Sequence, residues 1–383
     1  MKGLTSSNAV VLRELGVQTT LGIKELRQFG VSGYQLRTRY SRVLKGVYVP
    51  GRSVSPVKDH RGKELFVLDA VERARAYHLA NPRAVIAGFG ALALAKMKYF
   101  VDEQPTLALT KSPRDDKLFF PALNLDTPGN RLHTRQARWG TPSGKLWRPD
   151  CTNPELHAVR PMVACAQVIA ALESGDERAV VPWDIPAFLE PWGKEIRQIQ
   201  ILDATLRTQP IRRRRVDKVV EQIAGSCDEK LFRWVWERAD AGSESPPESL
   251  MRIQLRGILK ENGYDYLTQV AIVSGDRVVT VVDALLVHTT RLRLVEEIPN
   301  PKSWSEAYPC RILKVPDKGK VGGGGQGIVA LMFDGSHHLS NEQKNRDSEI
   351  SAVLLGAGIP VLRVTMAMLK IGGRVPARVE KLL

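Results

Sequence analysis

Hydrophobic and polar positions change period several times along the chain, and each change marks a different kind of element. From Thr19 to Arg42 the period is helical, with Ile23, Leu26 and Phe29 on one face of a first segment that Thr19 or Thr20 can cap. Gly30-Val31-Ser32 interrupts it, and a second helix, polar and basic, carries Tyr34, Gln35, Arg37, Thr38, Arg39 and Arg42. The pattern then turns β-branched in VLKGVYVPG around Lys45-Gly46, which predicts a two-stranded ribbon closed by Pro50-Gly51. Residues 1–55 therefore read as a winged helix-turn-helix. On such a unit the second helix lies against phosphates or base edges and the ribbon adds backbone contacts. Tyr34, Gln35, Arg37, Arg39, Arg42 and Lys45 are the candidate nucleic-acid contacts. The competing reading is a helical hairpin whose charges are only solvated.

Residues 56–239 form the expected middle domain, of α+β type. TLALT at 106–110 reads as a strand before a polar loop from Lys111 to Asp116. Helices are expected from about Pro161 to Glu173 and from Ile196 to Leu206. His78, His133 and His157 have no metal-ligand spacing and the acidic residues are dispersed, so the region reads as scaffold. IRRRR at 211–215 is the densest basic run. Arg212 and Arg213 are either a solvated helix flank or phosphate contacts without base information.

Ala241 to Pro247 punctuates the chain, and a third domain is expected over 240–383. Its order is a helix carrying Glu248, Arg252 and Leu255, a strand at 266–273, a turn, and the strand RVVTVVDALLV. A long irregular insert at about 290–326 follows. GIVALMFDG then forms a strand, His337 and His338 lie in a loop, a helix spans 341–356, and IPVLRVT is a last strand. Helix, three strands, helix, strand is the order of an α/β/α sandwich. Asp283 and Asp334 fall at or near strand ends. A divalent metal that polarises a phosphodiester and activates a water takes oxygen ligands from several backbone segments, so Glu248, Asp283 and Asp334 are candidates for that role. Singly, each of them is an ordinary turn, strand-end or first-turn residue.

Composition narrows the partners. With 383 residues, 43% hydrophobic and 25% charged, the chain is globular and long enough for two or three domains. Cys151, Cys165, Cys227 and Cys310 are scattered without a CxxC pair, which signals neither a zinc ribbon nor a disulfide framework and fits a reducing cytosol. No apolar run has the length of a signal core or a spanning helix, so a cytoplasmic protein outside the membrane is expected. Lys and Arg number 56 against 41 Asp and Glu, a formal charge of +15 that favours phosphate backbones, double-stranded DNA above all.

Two resemblances add to this. IKELRQFGVSGYQLRTRYSRVLKGVYVPG, followed by the 67–97 and TLALT segments, resembles the N-terminal winged helix and next domain of AbiEi-family antitoxins, where a similar helix-turn-helix ends in an "rGvY" strand. PPESLMRIQLRGILKENGY, VVTVVDALLV, IVALMFDGSHHL, QKNRD and LLGAGIPVLRVTMAML together resemble the PD-(D/E)XK-superfamily domain related to very-short-patch repair endonucleases. That resemblance implies a restriction-endonuclease-like fold, with Glu248 as the helix glutamate and Asp283 and Asp334 as metal-binding aspartates. It implies His338 as the histidine acting on water or the leaving group, and Arg346 and Arg363 as basic positions nearby. Met332 departs from the pattern, standing where many relatives have glutamate. The Phe333 carbonyl could serve as a metal ligand instead, and Glu296 and Glu297 of the insert are further substitutes. Two functions stay open: a DNA endonuclease dependent on magnesium or manganese, and a non-catalytic DNA-binding regulator or antitoxin with a degenerate nuclease domain. Both imply bacterial or phage defence, conflict or repair, and a cognate toxin or self-association is a further possible partnership.

Overall fold

The computed structural model describes residues 20–44, 46–50, 57–58, 64–66, 68–110, 136–138, 146–151, 153–176, 179–208, 216–243, 245–298, 310–316, 321, 327–334 and 341–383. The protein is multidomain, mixes α and β regions, and carries several open sheets. It divides into two compact units, Met1–Trp183 with Arg215–Trp234 and Asp184–Arg214 with Val235–Leu383.

The first unit opens with strand β1 (Leu21–Gly22) and helix α1 (Ile23–Gln28), which buries Leu26. Gly30 at φ 76° turns the chain, with the Gly30 and Val31 amides donating to the Arg27 and Leu26 carbonyls. Ser32 caps the next helix, α2 (Gly33–Arg39), which buries Leu36. The chain passes directly into β2 (Tyr40–Leu44) and returns in β3 (Val47–Pro50). Both β1 and β2 pair antiparallel with β3, giving the order β1-β3-β2. The second helix is therefore shorter than the sequence reading: from Tyr40 the backbone is extended, and Arg42 sits opposite Tyr48 in the ribbon. Cross-strand pairing overrides the helical spacing of the arginines.

After the small pair β4 (Val57–Lys58) and β5 (Glu64–Phe66) comes α3 (Ala70–Ala80), capped by Asp69. Next are β6 (Val85–Ala87), α4 (Gly88–Leu94), β7 (Leu107–Thr110), β8 (Gln136–Arg138), β9 (Leu146–Trp147), β10 (His157–Val159) and α5 (Pro161–Ser174). The five strands β6 to β10 form one sheet, ordered β8-β7-β6-β10-β9. Alanine-rich α3 to α5 pack closely, yet α3 also buries charge. Arg75 binds Glu72 and Asp150, each at 2.6 Å, and Arg73 donates to the Leu68, Val101 and Gln104 carbonyls. Both guanidinium groups thus find acceptors inside the fold, as buried charges must.

The chain enters the second unit through a 3-10 turn (Ala187–Trp192) and α6 (Gly193–Thr208). It returns to the first for α7 (Val216–Ile223) and most of α8 (Glu229–Trp236). The second unit resumes with α9 (Pro246–Glu261), begun by two prolines as expected at a helix start. Helix α6, which the expected boundary near 240 assigns to the middle domain, packs against α9 through Ile196 and Leu250.

Strands β11 (Tyr264–Ser274) and β12 (Arg277–His288) make a long hairpin. The insert, expected to be irregular, contributes β13 (Val295–Ile298) and β14 (Cys310–Val315), and β14 pairs parallel to β11. Leu313 and Val315 alternate inward into the core, a short period that the neighbouring Gly and Pro residues obscured. Then come β15 (Ile328–Asp334), α10 (Asn341–Gly356), β16 (Val361–Thr365), α11 (Met366–Leu369) and α12 (Arg374–Glu380). The sheet order is β13-β14-β11-β12-β15-β16, with β12–β15 antiparallel and β15–β16 parallel. One face packs Val329, Leu331, Leu362 and Val364 against Met251 and Leu255 of α9 and against α11 and α12. The other packs Ile328, Ala330 and Leu285 against Ile350 and Leu354 of α10. Helices thus cover both faces of this sheet. Among the described residues no helix is long and apolar enough to cross a membrane.

Candidate functional site

On the first unit, α2 turns Leu36 inward and presents Tyr34, Arg37, Thr38 and Arg39 outward, with Arg42 exposed on β2. Tyr34 is 70% exposed, unusual for an aromatic side chain at the start of a helix that packs against its own sheet. Gln35, one of the candidate contacts, also serves the helix itself. Its Oε1 accepts from the Ser32 amide at 2.8 Å while the Ser32 Oγ accepts from the Gln35 amide, a reciprocal box that fixes the helix start. Lys45, Arg212 and Arg213 lie outside the described residues.

The second unit gathers its carboxylates where β12 and β15 part. Their ladder ends at Ala284 opposite Leu331, although both strands continue. In that fork Asp283 Oδ2 accepts from the Phe333 amide at 2.6 Å, so a side chain takes the place of the next main-chain bond. Asp334, the residue after Phe333, binds Arg363 of β16, Oδ1 to Nη1 at 2.8 Å. Met332, alternating to the α10 face, packs on the apolar cluster there.

Across the hairpin from Asp283 is Gln269, with φ at 51°, a left-handed conformation that a residue with a side chain adopts only under constraint. The facing of both strands changes there. Leu267 and Val270 share a face although they lie three apart, and Val282 and Ala284 lie on opposite faces although they lie two apart. The hairpin thus rolls at the level of Asp283. Gln269 Nε2 stands 3.5 Å from Glu248 Oε2, while Ser245 Oγ donates to Glu248 Oε1 at 2.7 Å. Burial holds the Tyr266 phenol well above its ordinary range. Arg252 opposes this shift, while Glu248, Asp240 and Asp283 reinforce it, so these groups share one field.

Beneath lies a buried network that the sequence did not reveal. Asp203 of α6 accepts from Ser249 Oγ, from Arg252 Nη2 and from the Asp240 amide, at 2.7, 2.6 and 2.6 Å. Arg252 also donates to the Arg238 carbonyl. Asp240 Oδ1 in turn accepts from Gly242 N and Thr268 Oγ1, where a side chain at Gly242 would meet Thr268 at 1.8 Å. Arg252 lies four residues after Glu248, one helical turn on, which is the only sequence signal of this anchor.

Among the described residues no three His, Cys, Asp or Glu side chains converge as a metal-ligand set. His337 and His338 lie outside the described residues, as does the side chain of Arg346, whose backbone is in α10. Glu296 and Glu297 cannot substitute as ligands. They sit on edge strand β13, separated from β15 by three intervening strands and paired with Lys314 and Arg311. In the first unit a cavity of about 330 Å³ is lined by Asp69, Glu72, Arg75, Lys98 and Asp102 among others. Four of these already serve the fold: Arg75 binds Glu72, and the Asp69 and Asp102 carboxylates hold the first-turn amides of α3.

Comparison of the chain with protein-family models, curated proteins and solved structures finds no match.

Proposed function

We propose that the chain is a DNA-binding protein whose first unit docks on double-stranded DNA through α2 and the β2–β3 ribbon, and whose second unit is a nuclease-like α/β/α domain. The observation that carries this reading is the course of residues 21–50. Strand, helix, glycine turn, helix and ribbon gather on one sheet in the order β1-β3-β2, the arrangement of a winged helix-turn-helix, with the polar side of α2 open. Tyr34 stands at the N-terminal end of α2, the end that approaches base edges in such modules, while Arg37, Arg39 and Arg42 suit phosphates. The net charge of +15 supports the same partner. Wild-type protein is expected to retard a duplex of mixed sequence at low salt, and an Arg37→Ala/Arg42→Ala double variant to retard it less. No binding of any duplex by the wild type sinks the reading.

For the second unit, support comes from element order. A helix, three successive antiparallel partners β11, β12 and β15, a helix, and a strand parallel to the third match the order that the resemblance to PD-(D/E)XK domains implies. A second reading, phosphodiester hydrolysis, is favoured by the placement of Asp283 in the fork beside Phe333 and Asp334. A divalent cation would supply charge neutralisation and an activated water there. The described donors do not fit one: Asp334 is held by Arg363, Met332 offers no oxygen, and no third acidic or imidazole group joins them. The reading rests on Asp283 rather than on an assembled metal centre. Nicking of plasmid DNA with magnesium or manganese, lost in Asp283→Ala, would support it. No cleavage of duplex, single-stranded DNA or RNA with either metal leaves binding as the function.

A further inference from the structure

We propose that Arg256 and Lys260, on the exposed ridge of α9, hold successive phosphates of a DNA strand on the second unit. The inference goes beyond the docking proposed for the first unit, and it rests on the nuclease-like reading of the second only in naming DNA as the ligand. Met251, Leu255 and Leu259 turn one side of α9 into the core, which leaves Arg252, Arg256 and Lys260 in a row at four-residue spacing. Each step along that row advances about 6 Å, comparable with the step between phosphates of one strand. Arg252 already serves the fold: Nη2 binds Asp203 at 2.6 Å and Nη1 donates to the Arg238 carbonyl. That second bond brings the Arg238 main chain against α9 one helical turn before Arg256.

The outer two cations of the row are open to a ligand. Arg256 and Lys260 are exposed, and among the described residues their side chains make no hydrogen bond or ion pair. Burial lowers the Arg256 pKa, and the positive charges of Arg238 and Arg252 lower it further, with Glu237 opposing them. Glu237 is 71% exposed and 3.5 Å from Arg238, a long and well-screened contact. Like charges thus crowd at an open surface, and an anion seated there relieves their repulsion. A second observation points to the same face. Gly257 adjoins Arg256 and lies three residues before Lys260, inside a helix of 16 residues, where glycine weakens the structure. Its φ is not left-handed, and a Cβ there would meet nothing within 4 Å, so neither backbone nor packing calls for glycine. A ligand pressed against the helix does, because bare backbone beside two cations lets a phosphate approach closely.

The test is binding of labelled duplex DNA to the full chain over a range of salt, for wild type, Arg256→Gln/Lys260→Gln, Arg37→Ala/Arg42→Ala and the two pairs combined. The second-unit pair is expected to reduce the slope of log affinity against log salt by about two and to weaken binding about tenfold at physiological salt, with or without the first-unit pair. Arg256→Lys/Lys260→Arg keeps both charges and should bind as wild type. Gly257→Gln also keeps them and favours the helix, yet should weaken binding by filling the approach. A slope unchanged by Arg256→Gln/Lys260→Gln, or a wild type that binds no duplex, overturns the proposal. So does an equal loss in the charge-conserving pair, or Gly257→Gln binding as tightly as wild type. Loss confined to Arg37→Ala/Arg42→Ala refutes this site and keeps docking by the first unit, and loss confined to Arg256→Gln/Lys260→Gln does the reverse. Plasmid nicking on the same samples bears on the nuclease-like reading and not on this site.

Discussion

At Asp203 two physical effects oppose each other. Three donors favour the carboxylate, but complete burial pushes its pKa up to about 6. Burial also lowers the pKa of Arg252, yet the Asp203 and Asp240 charges outweigh it and the guanidinium stays protonated. A carboxyl whose folded pKa exceeds its unfolded value is proton-bound in the fold over a window where the unfolded chain has released the proton. Its contribution is thus fully present below about pH 4 and lost as pH rises through about 6. Asp203 alone is expected to lower the stability of the second unit by about 2–3 kcal/mol across that window. Asp203→Asn should flatten this slope in urea melts at pH 4 to 7. A slope unchanged by the substitution would show that another group titrates there.

Between α1 and α2 the sequence was most legible, because glycine, an N-cap serine and two apolar stripes all specify the same turn. Gly30→Ala tests this. Its added Cβ would meet nothing within 4 Å, so the cost is the left-handed backbone alone, about 1–2 kcal/mol in the first unit's urea transition. Legibility fell where tertiary pairing overrode local pattern. Arg42 follows the helical spacing of Arg37 and Arg39 but belongs to β2, because Ser41 and Arg42 pair with Val49 and Tyr48. The insert hid β13 and β14 behind Gly and Pro residues. At the fork, Asp334 was legible as a strand-end acid, whereas Asp283, expected at or near an end, lies within β12 because that strand runs on to His288; both are anchored beside or next to Phe333. What no local pattern encodes is the left-handed Gln269, the roll of the hairpin, or the distant Asp203 that holds Arg252. Those depend on segments that meet only in the folded second unit.

For the whole molecule, the proposed reading gives the two units separate tasks, docking to residues 21–50 of the first and phosphate-related chemistry to the carboxylate fork of the second, and the net charge of +15 suits both. If α2 and the ribbon meet the DNA backbone, each arginine there contributes to counterion release, and affinity must fall as salt rises. The most direct measurement is the salt dependence of duplex binding by fluorescence anisotropy, for wild type and for Arg37→Ala, Arg39→Ala and Arg42→Ala singly. The prediction is a steep fall of affinity with salt in the wild type, and a slope of log affinity against log salt reduced by about one for each arginine that touches phosphate. Wild-type binding whose affinity and slope are the same in all three variants would contradict the account, since the DNA would then be held elsewhere on the chain.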